Sequence, residues 1–285
     1  MVRSTNILLA AIAGLSADVF AAPQGNTGTS TMVTATSTGT GELVARTTPD
    51  PNMLIPSTAL TTESLLEQYF NWFYPWGTDH NGSARMARSQ ITLSEETETL
   101  TLNASRVDGQ GPASSGGKEI AIRYLSGAVH AKQHFTVNPG GGITYSGEFK
   151  APVAKGTWPA FWLTASSGWP PEIDMAEWKG SGKISFNTFN TSSEVQALDV
   201  DYPNPGEWHK IRCETIDANG KDVQVKFFMD EKLITTQVGK GFVGKAMRLI
   251  INLQMEGSSN SPGPEADTLY EIRRVSAYKT TKETS

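Results

Sequence analysis

An all-β sandwich or jelly roll is the fold class this sequence predicts, on three observations. Short stretches alternate apolar and polar residues with period two, as in Ser89-Gln90-Ile91-Thr92-Leu93 and Thr99-Leu100-Thr101-Leu102-Asn103. Gly, Pro and Asn punctuate the gaps between them. A helical period of 3.6 is almost absent. A strand with one apolar face must bury that face against a second sheet, and a sandwich or jelly roll supplies it.

The chain ends are read differently. Arg3, the apolar run over residues 7–15, and Val19 and Ala21 at the −3 and −1 positions make residues 1–21 a secretory signal peptide. The competing reading is a buried N-terminal helix. The run is too short to span a bilayer, and no later run is long enough. Residues 22–60 are rich in Ser, Thr, Gly and Pro and are expected to form a disordered linker, because they offer too little apolar surface to offset chain entropy. A catalytic domain is expected over 61–280, with order beginning near Thr62, followed by a polar tail at 281–285.

Within the domain, a short helix is expected at 63–69, before an aromatic cluster of Phe70, Trp72, Phe73, Tyr74 and Trp76. Further strands are expected at 120–124, 128–132, 143–149, 183–189, 223–229, 247–253 and 270–278, with a Gly/Ser loop at 109–117. Three glycosylation sequons open at Asn81, Asn103 and Asn190. The lone cysteine, Cys213, forbids an intrachain disulfide and shares a strand face with Ile211, which marks it as a buried structural thiol. Core burial must therefore hold the fold. The net charge of −5 and the lack of a long basic run argue against a nucleic-acid partner.

Three carboxylates stand at E-x-D-x-x-E spacing in Glu172-Ile173-Asp174-Met175-Ala176-Glu177. On a strand, Glu172 and Asp174 share one face and Ile173 takes the other. Strict alternation would send Glu177 to the wrong face. One extra residue, a bulge at Met175-Ala176, brings it back beside Asp174 and turns Trp178 inward with Ile173. Clustered acids repel one another, so at least one keeps its proton well above the usual range. That asymmetry lets one site hold a nucleophile and a proton donor. Neighbours on one strand face suit the ~5–5.5 Å gap of retaining glycosidases better than the ~6.5–9.5 Å gap of inverting ones. Trp158 and Trp162 fall four apart on one strand face just before the acids, and Trp169 lies in a loop. Such rings stack on the apolar C–H faces of sugars. The competing readings are a solvated charged strand face for the acids and core packing for the tryptophans.

The stretch Gly156-Thr157-Trp158-Pro159-Ala160-Phe161-Trp162-Leu163 followed by the acid motif resembles glycoside hydrolase family 16, the family of laminarinases, endo-β-1,3(4)-glucanases, galactan-cleaving enzymes and fungal wall transglycosylases. Looser matches, among them Trp208-His209 and Leu249-Ile250-Ile251-Asn252-Leu253, extend it over almost all of the expected domain. The resemblance implies a β-jelly roll with a cleft across its concave sheet. It further implies that Glu172 is the nucleophile, Glu177 the acid/base and Asp174 their helper. Many members carry a histidine in the strand after the acids. Here Asn190 is expected to take its place and to line the cleft, in conflict with its own sequon.

The expected activity is retaining hydrolysis of a β-linked polysaccharide, β-1,3- or mixed β-1,3/1,4-glucan. A transglycosylase using the same site and a non-catalytic glycan-binding jelly roll are the alternatives. His80, His130, His134 and His209 show no metal-ligand spacing. No cofactor is expected, and nothing in the sequence indicates the structural calcium ion that such a sandwich can carry. The partner is the polysaccharide, with no membrane span, and the protein is expected to act outside the cell, or at the cell wall, as a monomer.

Overall fold

The structure, a computed structural model, describes residues 50–257 and 262–281. The expected signal peptide, most of the expected linker and residues 282–285 of the tail lie outside the described residues. Two large sheets, of ten and seven strands, pack face to face as a jelly-roll sandwich, with nearly all pairings antiparallel. The seven-stranded sheet runs, in spatial order, Val195–Asp201, Lys183–Phe189, Glu172–Glu177, Thr157–Ala165, Ala246–Met255, Ala128–Thr136 and Phe70–Trp72. The ten-stranded sheet is built around His209–Asp217, Gly141–Lys150, Thr268–Thr281 and Thr99–Arg106.

Aromatic rings fill the space between the sheets. Phe149 lies 5.0 Å from Phe161 and 5.9 Å from Tyr270, and Trp178 packs 5.8 Å from Tyr270, measured between ring centroids. Phe186 meets Phe227 and Phe135 meets Tyr145 elsewhere in the core. Each such ring buries a large apolar area, so a core of this kind holds the fold without disulfides. Cys213 is fully buried within it, and burial pushes its thiol well above the ordinary range, which leaves it packed and unreactive.

Order begins earlier than the composition implies. Met53–Ile55 pairs with the C-terminal strand through Met53↔Tyr278 and Ile55↔Ala277. Ile55, Ala59 and Leu60 are almost completely buried. The last ten residues of the expected linker therefore belong to the domain. Four apolar side chains, Leu54, Ile55, Ala59 and Leu60, suffice to anchor them, though the Ser/Thr-rich stretch around them hides the signal. The helix Glu63–Tyr69 follows, with Thr62 as its N-cap accepting from the Leu65 amide.

Two other departures have local causes. The strand expected at 120–124 divides into Lys118–Ile120 and Tyr124–Ser126, because the Arg123 and Tyr124 amides both turn to the Ser83 carbonyl. The edge strand Val195–Asp201 has no buried residue, so it carries no apolar alternation to read.

Candidate active site

The acid strand, Glu172–Glu177, is third from one edge of the seven-stranded sheet. Its register against the tryptophan strand, Thr157–Ala165, runs Thr164↔Glu172, Leu163↔Ile173 and Trp162↔Asp174, then jumps to Phe161↔Ala176 and Ala160↔Glu177. Met175 is the extra residue. The other neighbour shows the same slip, Asp174↔Asn187 followed by Glu177↔Ser185. The bulge expected from spacing is thus present, and Ile173, Met175, Ala176 and Trp178 all enter the core. Glu172, Asp174 and Glu177 share the opposite, open face of the sheet.

Each acid is held by a neutral N–H donor. The Trp169 indole Nε1–H donates to Glu172 Oε2 at 2.9 Å. The Trp158 indole Nε1–H donates to Glu177 Oε1 at 2.6 Å. Asn187 Nδ2 donates to Asp174 Oδ2 at 2.9 Å and lies 3.4 Å from Glu177 Oε2, so it bridges two of the three. Lys179 adds a nearby positive charge, its Nζ 3.6 Å from Glu177 Oε1. Trp169 reaches the site because Gly168 adopts φ 70, a left-handed turn that glycine makes without strain.

Burial dominates the electrostatics. Glu172 is 9% exposed and Asp174 5%. Desolvation pushes Glu172 up to about 7; the Glu177 carboxylate adds to the rise, while hydrogen bonds from Trp169 and Thr164 oppose it. Desolvation also holds Asp174 well above the carboxylate range, reinforced by the charges of Glu177 and Glu172. Burial thus biases Asp174 toward its protonated form, and the pair around it can differ in protonation.

The tryptophans have a further use beside the expected stacking. The two indole N–H groups of Trp158 and Trp169 fasten the outer acids, and the ring of Trp158 is capped by the Lys179 ammonium at 4.3 Å. Trp162 is only 6% exposed: its N–H donates to Asn252 Oδ1 at 2.7 Å and its ring is covered by His80 at 5.7 Å. The open ring belongs to Trp76, 45% exposed, which stacks nearly parallel on Tyr74 and meets the edge of Trp162. Enclosure by these rings pushes His80 down to about 4, so it is a neutral packing partner at neutral pH.

Asn190 does not line the site. It lies past the end of Lys183–Phe189, and its Oδ1 accepts from the Lys240 amide, beside the opposite sheet. The physical reason is parity: Asn190 is three residues from Asn187, and an odd step in an extended chain points the other way. Asn187, not Asn190, is the amide among the acids. The strand expected at 183–189, set in register beside the acid strand, held the signal for Asn187. Thr164 and Asn252 had none, since each depends on a neighbouring strand, whereas Lys179, two residues past Glu177, lay within reach of the same alternation.

A separate hollow of about 380 Å³, lined by Glu63, Leu66, Trp72, Arg88 and Leu93, includes none of the three clustered acids. Among the described residues no group of three or more His, Cys, Asp and Glu is arranged to hold a metal ion.

No family model matches the chain. The chain is 52% identical over 233 residues to the galactan endo-β-1,3-galactanase of Flammulina velutipes, an alignment covering 81% of this chain and 92% of that protein. Among solved structures it is similar to the endo-1,3-β-glucanase of Streptomyces sioyaensis, with a TM-score of 0.60 and 15% identity over 76% of this chain and 91% of the other. LamAcat of Zobellia galactanivorans gives a TM-score of 0.56 and 21% identity over 74% and 91%. These two structures are likenesses of fold.

Proposed function

The chain belongs to glycoside hydrolase family 16 and is a glycosidase of β-linked polysaccharide, and from that premise we propose that it is a retaining, endo-acting β-1,3-galactanase. The observation that supports the chemistry is the arrangement of Glu172 and Glu177 on one strand face, each fastened by an indole N–H and separated by Asp174, which burial biases toward its protonated form. Galactan replaces the glucan expected from sequence on the strength of the Flammulina relative, 52% identical, whereas the glucan-active structures share 15% to 21%.

In this reading, the Glu172 carboxylate attacks the anomeric carbon. Glu177 gives its proton to the departing glycosidic oxygen, so that bond breaks as the glycosyl ester forms. Glu177, now a carboxylate, takes a proton from water, and the water oxygen displaces Glu172 from the anomeric carbon. Two inversions return the β-anomer. Asp174 stays protonated through both steps, which limits the negative charge packed beside Glu172. Asn187, with no proton to lose, holds Asp174 in place. Trp76, the open ring on this face, offers a stacking surface to the sugar chain.

We place the protein outside the cell, on the signal-peptide pattern of residues 1–21. Among the described residues no helix is long and apolar enough to cross a membrane.

Two measurements test the reading. Reducing ends should appear at least about tenfold faster from β-1,3-galactan than from β-1,3-glucan; the opposite order would return the substrate to glucan. Glu172→Ala should lose at least ~10⁴-fold in rate, and added azide should restore turnover with the inverted glycosyl azide as product. Inverted product from Glu177→Ala alone would exchange the two roles.

A further inference from the structure

Charge of the opposite sign stands on the same open face, two strands from Glu172. Arg248 lies in Ala246–Met255 between Met247 and Leu249, which are 6% and 0% exposed and face the core. Alternation sends Arg248 to the open face. Its register partners there are Thr164 on one side and His134 on the other, and Thr164 is in turn paired with Glu172. Arg248 therefore stands in the same cross-strand row as Glu172, ~10 Å away at two strand spacings.

Among the described residues the Arg248 side chain makes no ion pair or hydrogen bond, and its Nε is buried without an acceptor. The contrast with the other arginines is sharp: Arg85, Arg88, Arg106, Arg212, Arg273 and Arg274 each pair with a carboxylate. A buried Nε–H left without an acceptor is destabilising, so a partner from outside the chain that accepts from it has a free-energy reason to bind.

The neighbours supply no negative charge. His134 is exposed beside it. His130, in the next row, has Nδ1 2.8 Å from the Phe73 carbonyl and Nε2 3.3 Å from Asn71 Nδ2. An amide NH₂ donates, so Nε2 accepts and Nδ1 carries the proton: this ring is neutral. Burial first, and then the positive charges of Arg248 and His134, hold His130 below its usual range.

We propose that Arg248, with His134 beside it, is an anion subsite that receives a carboxylate or sulfate ester carried on the glycan about two strand spacings from the cleaved bond. This rests on the galactanase reading and narrows it: the preferred substrate is a galactan bearing acidic substituents. A guanidinium matches either group with two parallel hydrogen bonds, and Lys matches neither as well.

The test compares a neutral β-1,3-galacto-oligosaccharide with matched oligosaccharides carrying either a uronic acid or a sulfate ester. Wild type should favour at least one anionic form, with the better of the two identifying the source of the charge. The anionic-to-neutral ratio of kcat/KM should fall at least about tenfold in Arg248→Gln, and Arg248→Lys should recover part of it. The same ratio should appear in Kd, measured by calorimetry on Glu172→Gln, and should shrink as salt rises. No anionic preference in wild type, or a ratio untouched by Arg248→Gln, would overturn the subsite. Failure to release reducing ends from neutral galactan would instead overturn the galactanase reading, and the calorimetric ratio would still decide Arg248.

Discussion

The two faces of the hairpin formed by Thr157–Ala165 and Glu172–Glu177 differ completely. Phe161, Leu163, Ile173, Met175 and Ala176 point inward and are at most 1% exposed. Trp158, Trp162, Thr164, Glu172, Asp174 and Glu177 point outward, and each of the three acids is held by a neighbour's N–H. The inward face gains stability from apolar burial. The outward face spends part of that gain keeping acids away from water, which is what shifts their proton affinity. A single extra residue, Met175, keeps the two faces distinct.

The largest effect should come from removing that residue. Deleting Met175 sends Glu177 to the core face while all three acids remain in the chain. Reducing-end assays should show loss of at least ~10⁴-fold, and a thermal melt should show a large fall in Tm from the burial of a charged side chain.

Next in size is the strain stored at Glu172. Its folded pKa, about 7, lies above the ~4.3 of an unfolded glutamate. Between those values the folded state binds more protons than the unfolded state. Stability therefore falls as pH rises through the window, and the full penalty is present above 7. Glu172→Gln removes it. Urea unfolding at pH 8 should show the variant more stable by about 3 kcal/mol, with little difference at pH 4. Equal gains at both pH values would mean that burial does not set the Glu172 proton affinity.

The smallest effect belongs to one hydrogen bond. The nucleophile must be a carboxylate, so kcat/KM should fall as pH drops through about 7. Trp169→Phe keeps the ring and loses the donor to Glu172 Oε2. The carboxylate then loses about 1.5 kcal/mol of support, and the acidic limb should move up by about one pH unit. A limb that stays in place would show that Trp169 only packs.

Much of this hairpin could be read in one dimension. The E-x-D-x-x-E spacing demanded a bulge, and the bulge is where spacing put it. The aromatic positions were visible too, but their use was not. Spacing points to Trp158 and Trp169 as stacking rings, and the structure adds that their N–H groups donate to Glu177 and Glu172. Whether an indole offers its face or its N–H depends on what the next strand places beside it. Asn190 follows the same rule: the family resemblance puts it in the histidine's place, whereas strand register sets Asn187 beside the acids.

Local order along the chain was enough to determine the sheet-on-sheet class, the acid cluster and the phase of its strand, because period two and its one interruption are properties of consecutive residues. Tertiary structure decided everything that joins strands distant in sequence. It chose Asn187 as the amide between the acids, made Trp76 the open ring, and drew Ile55 and Leu60 into the core. It also set Arg248 in the row of Glu172, 76 positions along the chain yet two strands away. Sheet order fixes which side chains share a face, and no property of a single strand encodes that order.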